Sequence, residues 1–124
     1  MIKLYNTNLE TNKLESVDTY TRGTWIHMVD PSEEEIKEVC QNINIKEDFI
    51  RYALDNEEKA RIDVEDEDDT ILFIIDIPVT EKSQSGGYMY ATMPIGMIVV
   101  RDDFFITVTL RAVSYTHLTL PTIA

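Results

Sequence analysis

The feature that most restricts the fold is a change of apolar period along one short chain, from two to about 3.6 and back to two. Ile36, Val39, Cys40 and Ile43 recur at i, i+3, i+4 and i+7, which gathers them on one face of a helix. Its start is also written in the sequence. Ser32 and Glu35 form a capping box, in which the serine oxygen accepts from a free backbone N–H and the glutamate reaches back to the cap. Glu33, Glu34 and Glu35 place negative charge at the positive end of the helix dipole. The spacing predicts a helix over 32–42 and, after Asn44 and Ile45, a shorter one over 47–54, where Phe49, Ile50, Ala53 and Leu54 repeat the pattern. An apolar helix face must be buried against something, and the flanking segments supply it.

Those segments read as strands. Ile2-Lys3-Leu4-Tyr5 and Leu14-Glu15-Ser16-Val17 alternate around an Asn/Thr-rich connector, a hairpin-like pair. Residues 24–29, Thr-Trp-Ile-His-Met-Val, form a third strand closed by the turn pair Asp30-Pro31. Beyond residue 60, Ile62 and Val64 alternate with charged neighbours, and 70–79 is a longer run expected to be buried on both faces in its middle. Residues 81–87 form a turn. Residues 88–93 and 95–100 return as strand, broken at Pro94, and Arg101-Asp102-Asp103 turns the chain into 104–110. The expectation is an α/β (α+β) domain with a mixed sheet of about six or seven strands and a helical pair packed on it. No repeat period is present.

Length and charge narrow the function. At 124 residues the chain makes one domain. A net charge of −12 disfavours nucleic acid and anionic bilayer surfaces as partners and makes cations the natural ligands. The longest apolar runs, 71–75 and 94–100, fall far short of the ~20 residues a membrane-crossing helix needs. The first residues lead into a polar stretch with no apolar core of a secretory signal. Cys40 is the single cysteine, which excludes an internal disulfide.

Chemistry-bearing patterns are few. The acidic run Asp63, Glu65, Asp66, Glu67, Asp68 and Asp69 fails as a calcium loop, because Asp68 stands where glycine is needed and Ile74 where a bidentate glutamate should be. It reads as a solvated turn between strands. Cys40, on an apolar helix face, reads as a buried structural thiol rather than a nucleophile served by His27. His27 itself reads as a partly exposed polar position, and the only other histidine is His117, so no two-histidine metal site is expected. Phosphate-loop and nucleophile-elbow motifs are absent. No enzyme, no catalytic residue and no organic cofactor is expected.

The order of pieces resembles a known family. Gly23-Thr24-Trp25-Ile26-His27-Met28-Val29 with Asp30-Pro31-Ser32 and Glu35, then Leu54-Asp55-Asn56-Glu57-Glu58-Lys59-Ala60-Arg61-Ile62, then 72–78 and Phe105-Ile106-Thr107-Val108, resembles the cytosolic N-terminal domain of CorA-type divalent cation transporters. The resemblance covers about residues 1–110. It implies a homopentameric magnesium, cobalt or nickel channel at the cell membrane, with this domain on the cytoplasmic side as the wide end of a funnel. A stalk helix and two membrane helices with a Gly-Met-Asn signature would follow. Divalent ions bound between neighbouring domains would hold the channel closed, because an ion that binds one arrangement better shifts the population toward it.

Two departures qualify what carries over. Where the family has a Glu-Asp pair near the end of the second helix, this chain has Arg51 and Tyr52. The nearest carboxylates, Asp55, Glu57 and Glu58, are therefore the candidate regulatory metal ligands. Stalk and membrane helices are missing, so these residues alone would be soluble and could not conduct ions. Residues 111–124 carry no acidic group and do not resemble the family's onward segment, which suggests a tail of foreign origin on a truncated gene. The expectation is thus a domain over 1–110 and a doubtful tail over 111–124. The alternative is a free-standing acidic module of the same fold that binds cations or protein.

Overall fold

A computed structural model describes residues 1–55 and 60–111. The elements run β1 (Ile2–Asn8), β2 (Lys13–Val17), β3 (Thr24–Val29), α1 (Glu33–Ile43), α2 (Glu47–Ala53), β4 (Arg61–Glu65), β5 (Thr70–Lys82), β6 (Tyr88–Val100) and β7 (Phe104–Thr109). The strands make one seven-stranded mixed sheet in the order β2-β1-β3-β7-β6-β5-β4. Only β3 and β7 pair in parallel, from Thr24↔Phe104 to Val29↔Thr109; the other described pairs are antiparallel. The α1–α2 excursion and the β4–β6 meander therefore separate two strands that lie side by side.

Both helices pack on one face of the sheet. Ile36, Val39, Cys40 and Ile43 of α1 and Phe49, Ile50 and Ala53 of α2 share a core with Ile26, Met28, Leu72, Ile98, Ile106 and Val108. Gly96 on β6 admits α2 closely: a Cβ there would fall well inside contact distance of the Ala53 Cβ. The capping box forms, with Glu35 N–H donating to Ser32 Oγ at 3.2 Å and Ser32 N–H to Glu35 Oε1 at 2.9 Å. At the other end Asn44 adopts a left-handed conformation, φ 57°, and its N–H donates to the Cys40 carbonyl. No basic residue lies in the last turn of α1. Instead Arg101, from the β6–β7 turn, donates to the carbonyls of Ile43 and Asn44, a C-cap delivered across the fold.

Three local expectations are corrected. β1 continues to Asn8, since five of its residues pair with β2 up to Asn8↔Lys13. β6 is unbroken at Pro94, which pairs with Asp76 on β5; the β7 partner stops at Ile95, so a proline is tolerated just past it. β5 is not buried on both faces in its middle. Thr70, Leu72 and Ile74 are buried toward the helices, while Ile71 and Phe73 are half-buried and Ile75 is 39% exposed on the far side.

Beyond Ile74 and Ile95 the β5–β6 pair loses both neighbours and projects as a two-stranded arm. Its register runs from Asp76↔Pro94 to Lys82↔Tyr88. Tyr88, Met89 and Tyr90 near its turn are exposed.

Candidate functional site

α1 and α2 each begin with carboxylates, Glu33, Glu34 and Glu35 on one and Glu47 and Asp48 on the other. Arg51 ties the two helix starts together. Its guanidinium donates to both Glu33 oxygens, at 2.9 and 2.6 Å, and to Glu47 Oε2 at 3.1 Å. The hydrogen bond from Arg51 pulls the Glu33 carboxyl below its ordinary range, and the same bonds push the guanidinium up. Position 51 thus holds a paired cation and supplies no metal ligand. Tyr52 is 43% exposed, with the Arg61 guanidinium 5.3 Å from its ring centre.

Asp55 follows the α2 C-cap Leu54, with its N–H donating to the Tyr52 carbonyl at 3.3 Å, and its side chain is exposed. Glu57 and Glu58 lie outside the described residues. Among the described residues no group of three or more His, Cys, Asp or Glu side chains could hold a metal ion.

The other candidates resolve into structural roles. Residues 66–69 form a tight turn between β4 and β5, with Asp69 at φ 48° and its N–H on the Asp66 carbonyl. Lys46 Nζ approaches Asp68 Oδ2 at 3.3 Å, and that contact raises the lysine above its usual value. Cys40 is buried among α1 core residues. Burial, with help from the Glu47 charge, pushes its thiol up to about 11, so little nucleophilic thiolate exists near neutral pH. Cys40 and His27 are on opposite faces of the sheet and form no dyad.

His27 corrects the sequence reading: it is only 8% exposed. Its Nδ1 stands 2.8 Å from Thr107 Oγ1, the same hydroxyl that accepts from Trp25 Nε1 at 2.9 Å. The Trp25 ring lies 5.1 Å from that of Tyr5 and 5.7 Å from that of His27. Burial, then the charge of Lys3, lowers the imidazole below its usual value. Sequence reasoning treated these residues singly. The available signal was the alternation on β3, which puts Trp25 and His27 on the face opposite Ile26 and Met28.

With this geometry in view, the comparisons decide the family. The sequence profile described as CorA-like Mg2+ transporter protein matches residues 21–123. The chain belongs to the CorA-like Mg2+ transporter family. The match takes in residues 111–123, of which only Arg111 lies within the described residues. The fold agrees with the soluble domain of CorA from Methanocaldococcus jannaschii, at TM-score 0.73 and 22% identity over 95% of this chain and 44% of that one. It also agrees with the complete CorA magnesium transporter of the same organism, at TM-score 0.68 and 18% identity over 99% of this chain and 36% of that one. The CorA-like chain thus spans less than half the length of either. No curated protein sequence matches it. The family is one of ion transporters, and among the described residues no helix is long and apolar enough to cross a membrane.

Proposed function

We propose that this chain is the cytosolic N-terminal domain of a CorA-like transporter, taking part in assembly of a homopentamer and in gating by divalent metal. The observation that carries the reading is the family match over residues 21–123 on a sheet-and-helix-pair fold shared with CorA. The cargo is Mg2+, with Co2+ or Ni2+ as further ions of the same charge. Transport needs membrane helices outside these 124 residues, so the domain, formed by residues 1–110, regulates and does not itself conduct. It works on the cytoplasmic side of the cell membrane.

The regulatory ion is held by Asp55, Glu57 and Glu58 together with carboxylates of a neighbouring copy. Asp55 directly follows the C-cap of α2, where the helix dipole already favours a cation. A metal shared between copies takes ligands from two chains, so a single chain need not present three. Binding stabilises only the arrangement that brings the two sets of carboxylates together, and loss of the ion releases it.

The test compares MgCl2 and NaCl at equal ionic strength. Screening does not depend on which ion supplies the ionic strength, whereas a binding site adds mass-action stabilisation. Magnesium should raise the thermal midpoint and promote self-association beyond the effect of sodium. The triple variant Asp55→Asn, Glu57→Gln, Glu58→Gln should lose that excess. Equal responses to the two salts would leave only screening and remove the metal-site reading.

A further inference from the structure

The hydrogen bonds around Thr107 span the seam at which the first three strands of the sheet meet the last four. β3 and β7 pair in parallel there, with His27 opposite Thr107. Thr107 Oγ1 stands 2.9 Å from Trp25 Nε1 and 2.8 Å from His27 Nδ1, and these two are its side-chain bonds among the described residues. An indole nitrogen can only donate, so the hydroxyl accepts from Trp25. Its single proton then has one acceptor in reach, His27 Nδ1. The neutral imidazole therefore carries its proton on Nε2, because a proton on Nδ1 would give the hydroxyl two donors and leave its own proton without an acceptor. A directed chain of donors results, from Trp25 through Thr107 to His27.

Protonation reverses the last link. An imidazolium donates from both nitrogens, so Thr107 Oγ1 would stand between two donors, at a place where His27 is only 8% exposed. The surrounding strands offer the new charge no counter-charge. By alternation β1 presents Lys3, directly opposite His27, and the phenol of Tyr5; β7 presents Phe105, Thr107 and Thr109; β3 itself presents Trp25 and Val29. The Met1 ammonium is engaged with Glu35 at the start of α1, and both helices lie on the opposite face. Lys3 is thus the one charged side chain on this side of the three strands, and it repels a second cation. We infer that Trp25, Thr107 and His27 form a proton-sensitive clasp across the β3–β7 seam, closed while the ring is neutral and released when Nδ1 takes a proton from solvent. Release frees the Trp25 N–H along with the imidazole, because both depend on one hydroxyl. The main-chain ladder and the core on the helix side remain, so the event is local. No metal takes part, and the clasp does not depend on the proposed gating site.

Trp25 is the only tryptophan, so its indole N–H gives a single resonance that reports the clasp. The full chain is titrated from about pH 8 to about pH 5, the range in which imidazoles change charge. Histidine 15N spectra and far-ultraviolet circular dichroism are followed in parallel, and His117→Gln assigns the His27 signals. At the alkaline end the His27 proton should sit on Nε2. On acidification the indole N–H and the His27 resonances should move together, with a midpoint below the 6.5 of a free imidazole, while the dichroism stays unchanged. His27→Gln should hold the indole N–H at its alkaline position throughout. Thr107→Val, which removes the hydroxyl and keeps the β-branched shape, should hold it at the acid position throughout. A proton on Nδ1 at the alkaline end would overturn the inference. So would an indole step that survives in His27→Gln, an indole signal that stays still while His27 titrates, a His27 that does not titrate above about pH 5, or dichroism lost at the same midpoint, which is global unfolding.

Discussion

The position of the His27 ring disfavours its charged form. Burial and the Lys3 charge lower its pKa below the 6.5 of a free imidazole, so below about 6.5 the unfolded chain binds a proton that the folded chain resists. The stability contributed by the neutral ring is present above about 6.5 and is lost as pH falls toward the folded-state value. Urea midpoints should therefore drop on acidification through that range, and His27→Gln should flatten the profile. A variant profile as steep as the parent's would show that other groups carry the effect. Gly96 acts through space alone. Gly96→Ala would push a methyl against Ala53 of α2, and overpacking of this kind costs about 1–3 kcal/mol. Urea unfolding measures it, and a loss under ~0.5 kcal/mol would mean that α2 shifts freely on the sheet.

At the scale of elements, α1 shows how local and distant groups divide the work of ending a helix. Its N-terminus is closed by Ser32 and Glu35, and the Met1 amino group adds a contact to Glu35 Oε1 at 2.9 Å. These bonds, that from the Ser32 backbone first, hold the Glu35 carboxyl below its ordinary range. Ser32→Ala should cost about 1 kcal/mol, read as a lower urea midpoint with an unchanged slope. The C-terminus depends on Arg101, 57 residues away in sequence from Asn44, whose carbonyl it reaches at 3.2 Å. The β5–β6 arm is the opposite case, an element that outruns its neighbours. Isolated two-stranded hairpins are marginally stable in water, so the arm gains from any layer that covers it.

The whole molecule is electrically two-sided. Carboxylates occupy the helix starts and the β4–β5 turn, while the far sheet face is nearly free of charge. Magnesium at 100 times its dissociation constant would add about 2.7 kcal/mol of stability, equivalent to roughly 10 °C in thermal midpoint for a domain of this size. Differential scanning calorimetry against sodium at matched ionic strength reads this directly.

What the sequence determined was whatever depends on near neighbours in the chain. The i, i+3, i+4, i+7 spacing and the Ser32–Glu35 pair settle α1 because a helix closes its bonds within one turn. The alternation of Thr24–Val29 likewise settles β3. The ordered motifs from Gly23 to Val108 carried the family. Only the tertiary structure decided which strands adjoin, and with them the rest: the continuity of β6 through Pro94, the burial of His27 against Thr107, Arg101 as a helix cap and the exposure of Ile75 on the far side of β5. Each of these rests on groups distant in sequence, and periodicity reports which residues share a face but not what lies against it. The carboxylates proposed for the metal follow the same rule, since their partners would belong to another copy of the chain.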